Sequence, residues 1–151
     1  MHDVNLFAVL VAGIIPMIIG ALWYGPLFGK RWLAMMEMTA EEVQEGFNPV
    51  KTYGVSVLLS LVTAFIMAQF IATTELMMAA IFPGGGSSEG VGESAMFGVF
   101  MGLMVLIAFV LPVAHQGVAF EGRKAGLAWL NLGYNGVALI GQWMVIAAWG
   151  A

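Results

Sequence analysis

The chain contains no cysteine. Disulfides, zinc–thiolate centres and thiol nucleophiles are therefore excluded, and redox chemistry says nothing about its compartment. Charge is also scarce: 9% of the 151 residues are Asp, Glu, Lys or Arg, against about 25% in ordinary soluble domains. Five residues are basic and nine acidic, a net charge of −4. That leaves no basic field for phosphates, so no nucleic-acid partner is expected. The cores of the long apolar stretches hold no Asp, Glu, Lys or Arg. Proton-coupled pumps commonly keep a membrane-embedded carboxylate, so that class is disfavoured. No paired carboxylates, nucleophile–base pair or metal cluster stands out, and neither enzymatic activity nor a cofactor is expected.

What the chain has in abundance is apolar surface. Hydrophobic residues make up 61% of it, too many to cover with polar groups in water. Lipid is the expected solvent, and the length suits one domain over residues 1–151. Four windows without charge run Val4–Gly29, Thr52–Thr74, Ser94–Phe120 and Ala125–Ala151. Each exceeds the roughly 20 residues needed to cross a bilayer. Backbone amides in hydrocarbon need internal partners, and period-2 alternation is missing, so helices are predicted. They are placed at Leu6–Tyr24, Tyr53–Thr74, Met96–Phe120 and Leu127–Ala148. The fold class is all-α: four transmembrane helices in two antiparallel hairpins, with a short cytoplasmic interfacial helix in the first loop.

All five basic residues fall in two of the connections. Lys30, Arg31 and Lys51 lie between the first and second windows, Arg123 and Lys124 between the third and fourth. Short basic loops stay cytoplasmic, so both termini are predicted outside. The first window lacks the basic start and small-residue cleavage site of a secretion signal and reads as a retained helix. The outer connection carries the breaker run Pro83-Gly84-Gly85-Gly86-Ser87-Ser88, and Leu76–Phe82 reads as interfacial or as an extension of the second helix. In the long inner loop, Thr39-Ala40-Glu41-Glu42 matches a capping box, Gly46 a stop, and Asn48-Pro49 a turn. The residues before it, Trp32 to Met36, fit either an interfacial helix or one docked on the bundle.

The densest text is Gly20-Ala21-Leu22-Trp23-Tyr24-Gly25-Pro26-Leu27-Phe28-Gly29-Lys30-Arg31-Trp32. Trp23, Tyr24, Pro26, Phe28 and Trp32 form an interfacial motif, in which Gly25 and Pro26 end the first helix and the rings sit at headgroup level. A docking surface or pore mouth is the alternative. The motif resembles the signature of the domain of unknown function 1761, a family of small bacterial membrane proteins. Asp3-Val4-Asn5, the Gly-spaced third helix and Gly133-Tyr134 are similar to it as well. The resemblance implies a multi-pass protein of the bacterial inner membrane and carries over no catalytic or ligand residue.

Polar residues inside the windows are the candidate sites. His115 and Asn131 lie at similar depth, roughly 9 Å from the basic loop by helical rise, and are expected to hydrogen-bond. A proton relay or metal ligand at His115 is the sharper reading. Asn131, Asn135, Ala138 and Gln142 share a face, and Ser56, Ser60 and Thr63 form a second stripe. These stripes either glue helices together or line a path. Pro112 cannot donate to the Ala108 carbonyl, which a polar neighbour or water is expected to satisfy. Ser94, Gly98 and Gly102 make a small-residue ladder, as do Pro16 and Gly20. The methionines read as apolar filler rather than copper ligands. The expected function is a structural or interaction bundle that self-associates or accompanies a membrane complex; the alternative is a small channel or carrier for protons or a small neutral solute. The expected partners are the lipid bilayer and a second copy or a membrane complex.

Overall fold

The computed structural model describes residues 4–45, 47–81 and 91–149. The stop at Gly46 and the run Pro83–Ser88 lie outside them. Every regular element among the described residues is helical: α1 Leu6–Leu22, α2 Gly29–Met36, α3 Ala40–Gln44, α4 Pro49–Ile81, α5 Val91–Val105, α6 Leu111–Ala119 and α7 Ala125–Trp149. Two π-helical turns interrupt this order, Trp23–Leu27 after α1 and Leu106–Val110 between α5 and α6. Three stretches are long and apolar enough to cross a membrane: Leu6–Leu27, Pro49–Met77 and Ser94–Ala119. The fourth long helix, α7, has 25 residues, long enough at about 1.5 Å each, but its amides dilute its hydropathy.

This helix, α7, is the centre of the bundle. α7 packs against α1, α4 and α5. Its close approach to α5 depends on glycine. A Cβ on Gly98 would lie 2.6 Å from Met144 Cα and from the Trp143 carbonyl oxygen; one on Gly102 would lie 2.7 Å from Ile140 Cα. Leu106 in turn meets Gly136, so the register descends along α7 as it climbs α5. The small-residue ladder of the third window is thus consumed inside the chain. Gly20 and Pro16 meet Tyr134, which places the other ladder on the α1–α7 face. A core of Ala8, Val9, Ala12, Ala64, Met67, Ala68, Ile71, Trp143 and Ile146 joins α1, α4 and α7. The large apolar side chains of the outer faces, such as Leu58, Phe100 and Ile107, remain exposed.

Gly25 and Pro26 break the first helix as expected: α1 stops at Leu22 and the chain kinks at Gly25. The chain winds through a π-turn in which Phe28 N donates to the Trp23 carbonyl at 2.9 Å, with Gly25 alone leaving helical geometry (φ −99°, ψ −107°). At Pro112 the rod loosens in the same way, Leu111 N bonding back to the Leu106 carbonyl. A locally widened turn thus accompanies Pro26 and Pro112 but not Pro16 within α1, whereas a polar side chain or water was expected at Pro112.

In the inner loop the capping box forms, whereas Asn48-Pro49, expected as a turn, begins the second long helix. Thr39 Oγ1 accepts from Glu42 N, and Glu42 Oε2 accepts from Thr39 N, completing the capping box. Asn48 caps α4 by accepting from Lys51 N at 3.0 Å, with Pro49 as first helical residue. α4 continues to Ile81, so Leu76 onward extends the helix. α2 docks on the bundle, Met35 lying over Gly126 at the start of α7.

The two ends of the chain are latched by one side chain. Asn5 Oδ1 accepts from Phe7 N and Ala8 N, capping α1, while its Nδ2 donates to the Trp149 carbonyl at 2.7 Å. Phe7 stacks on Trp149 beside it, centroids 6.4 Å apart. Asn5→Ala is expected to cost about 1–2 kcal/mol, the range of a lost N-cap. Asn5→Asp keeps the cap but not the donor, and an intermediate loss is expected. Unfolding titrations in mixed micelles check both.

Candidate functional site

The candidate residues do not converge on one centre. They divide between a hydrogen-bonded seam along α7 and two hollows at its basic end.

The seam begins at the π-turn. Trp23 Nε1 donates to the Leu130 carbonyl at 3.2 Å, and Tyr24 OH donates to Asn131 Oδ1 at 2.9 Å. Both rings therefore turn inward onto α7. Tyr24 also lies against Trp32 and Tyr134, with centroids 5.8 and 5.2 Å away, and Trp23 against Phe28 at 4.6 Å. The Trp23 and Tyr24 rings make an internal contact with α7. Gly133 makes room for it, since a Cβ there would sit 2.9 Å from the Trp23 ring. Tyr134 OH donates to the Pro16 carbonyl at 3.1 Å. Further along, Gln142 Nε2 donates to Ser60 Oγ at 3.1 Å, both side chains buried. Trp143 presents its ring edge-on to Phe70, and its Nε1 has no hydrogen-bond partner among the described residues.

The remaining polar candidates are satisfied locally or stand apart. Asn135 Nδ2 donates to the Asn131 carbonyl at 2.8 Å, and Thr63 Oγ1 to the Leu59 carbonyl at 2.9 Å. Ser56 bonds the Thr52 carbonyl in the same manner. The expected His115–Asn131 bond does not form. Asn131 faces α1, while His115 is exposed on α6, which meets α7 through Trp129 and Leu132. Sequence reasoning missed Asn5 and the Tyr24–Asn131 bond. A polar residue just before an apolar helix was the available signal for Asn5. For Tyr24 there was none, because the partner is 107 residues away.

Tyr24→Phe is expected to cost about 0.6 kcal/mol, the mean of interhelical hydrogen bonds in membranes. Ser60→Ala should cost up to about 1.7 kcal/mol, because it leaves the buried Gln142 amide without an acceptor. Restored stability in the double variant Ser60→Ala/Gln142→Leu would identify the orphaned amide as the cause.

At the basic end, a cavity of about 120 Å³ is lined by Leu111, His115, Val118, Ala125, Trp129 and Leu132. Beside it lies a groove of about 360 Å³ lined by Trp23, Phe28, Arg31, Met35, Gly126 and Trp129. The two basic loops meet here. Lys124 Nζ donates to Glu37, and Arg123 pairs with Glu121 at 2.7 Å. Glu37 sits in left-handed backbone (φ 57°) at the end of α2. The Lys124 hydrogen bond, then its charge, holds the Glu37 carboxyl below the usual carboxylate range. A depressed folded-state value stabilises above the unfolded value and is lost as pH falls through the lowered one. The pair is open to solvent, so its loss in acid should be small and erased by salt; chemical-shift titration of Glu37 in wild type and Lys124→Gln checks this.

A family profile described as protein of unknown function (DUF1761) matches residues 7–147. No curated protein and no solved structure matches the chain.

Proposed function

Because the chain belongs to the DUF1761 family of proteins of unknown function, we propose its role from its geometry: it is an integral membrane bundle whose work is structural or associative. In this reading four helices cross the bilayer as two antiparallel hairpins, α1 with α4 and α5–α6 with α7. The basic loops lie on the cytoplasmic side of a bacterial inner membrane and both termini lie outside. The observation that carries the reading is the pairing of side chains along α7. Gln142 is committed to Ser60 and Asn131 to Tyr24, across helices. In hydrocarbon such bonds hold helices together. A conducting path needs polar groups turned to water, and these are turned to each other.

The outer faces of α4 and α5–α6 carry exposed aromatic and branched side chains, among them Phe65, Phe70, Phe97 and Phe100. These surfaces are the ones available to lipid, to a second copy, or to another membrane protein.

Reconstitution tests the proposal. Liposomes holding the chain and a pH-sensitive dye should leak protons no faster than empty ones. Leak that disappears on replacing Asn135 or His115 would transfer the function to the channel class. Energy transfer between labelled chains that persists on dilution with lipid would support self-association, and its loss on dilution would point to a different membrane partner.

A further inference from the structure

The groove between α2 and the start of α7 is left unfilled by the bundle's own packing. Trp23, Phe28, Met35 and Trp129 give it an apolar lining. Its volume of about 360 Å³ falls within the roughly 300–1,000 Å³ usual for small-ligand sites. Gly126 keeps it open: a Cβ there would already touch Met35 Cε at 3.1 Å. Trp129 forms its rim, 67% exposed.

Arg31 is the one charged residue that lines it. The cations opposite are neutralised, Arg123 by Glu121 and Lys124 by Glu37. Among the described residues no carboxylate lies within 4.0 Å of Arg31. An unpaired guanidinium over an apolar trough asks for a ligand with an anionic head and a hydrocarbon stem. A soluble anion would leave the aromatic walls wet, and a neutral lipid would leave the guanidinium without its counter-charge. Basic pockets between helices at the membrane surface take anionic headgroups for this reason.

We infer that this groove binds one anionic phospholipid. The phosphate sits on the Arg31 guanidinium, whose planar fork suits it. The first part of an acyl chain lies along Trp23, Phe28 and Trp129. The inference rests on the reading that the helices lie in a bilayer, which places the groove at headgroup level.

The test uses the full chain in detergent micelles with equal amounts of phosphatidylglycerol and phosphatidylcholine, the retained lipids being counted by native mass spectrometry. Wild type should keep one phosphatidylglycerol in preference. Arg31→Gln should lower that preference about fivefold, the factor one basic residue supplies near a charged surface. Lys30→Gln, outside the groove, should leave it unchanged. Gly126→Leu fills the trough without touching a charge and should lose the lipid; Trp129→Ala removes a wall and should lower retention if the leucine variant fails to fold. Equal retention of the two lipids would overturn the site, as would equal losses in the Arg31 and Lys30 variants. Retention intact in Gly126→Leu, or lipid displaced by equimolar inorganic phosphate, would overturn it too. Alkaline carbonate extraction is a separate arm: release of the chain from membranes refutes the bilayer reading and leaves the micelle result to stand or fall alone.

Discussion

Gly98→Leu is expected to drive α5 away from α7 and to destabilise the bundle by about 3 kcal/mol, the upper part of the range for overpacking. The reason is that the obstacle is backbone. A Cβ at this position already lies 2.6 Å from Met144 Cα and the Trp143 carbonyl oxygen, and no rotamer change clears it. Leucine adds three further carbons to that collision. Gly54 on α4 is the matched control, with nothing within 4 Å of its Cβ. Gly54→Leu should be neutral or stabilise by up to about 1 kcal/mol, because glycine is a poor helix former. Reversible unfolding in mixed micelles measures both. A Gly98→Leu protein as stable as wild type would show that the α5–α7 contact does not exist.

The second large effect is expected at Ile146, the largest side chain that is wholly buried. Ile146→Ala should cost about 2 kcal/mol, the low end of the range for a buried aliphatic truncated in a soluble core. The low end applies because hydrocarbon outside is as apolar as the core inside. The transfer contribution therefore shrinks, leaving the empty space and lost dispersion contacts. Ile107 is 59% exposed on the lipid-ready face. Ile107→Ala should change stability by less than about 0.5 kcal/mol, since acyl chains refill the gap. Equal losses at both positions would mean that protein, not lipid, covers Ile107, and would favour a second copy on that face.

The contrast between these two isoleucines marks what could be read from sequence. Hydropathy located the apolar segments, although the second helix, Pro49–Ile81, runs past both predicted ends. Thr39 was legible as a helix start because its partner lies three residues away, whereas Asn48-Pro49 read as a turn and is a helix start. Azimuth was not legible. His115 and Asn131 were level on paper and face different neighbours in the fold. The centrality of α7 was hidden by its own amides, which lower hydropathy while being satisfied by Tyr24 and Ser60. Asn5 was obscure for a similar reason: half of its work is done 144 residues away, at Trp149. The break at Gly25-Pro26 was legible from the sequence, whereas the widened turns at Pro26 and Pro112 were not.

Accessibility of single cysteines in intact cells tests most directly whether a bilayer sorts this chain, and the lack of native cysteine makes the labelling clean. With a membrane-impermeant maleimide, Ser88→Cys and Ala151→Cys should react, and Gln44→Cys should react only after permeabilisation. Labelling at position 44 without labelling at 88 would reverse the orientation. Labelling at 88 with protection at 151 would leave three crossings, with α7 outside the bilayer path. Reaction at all three positions would contradict a membrane-embedded bundle altogether.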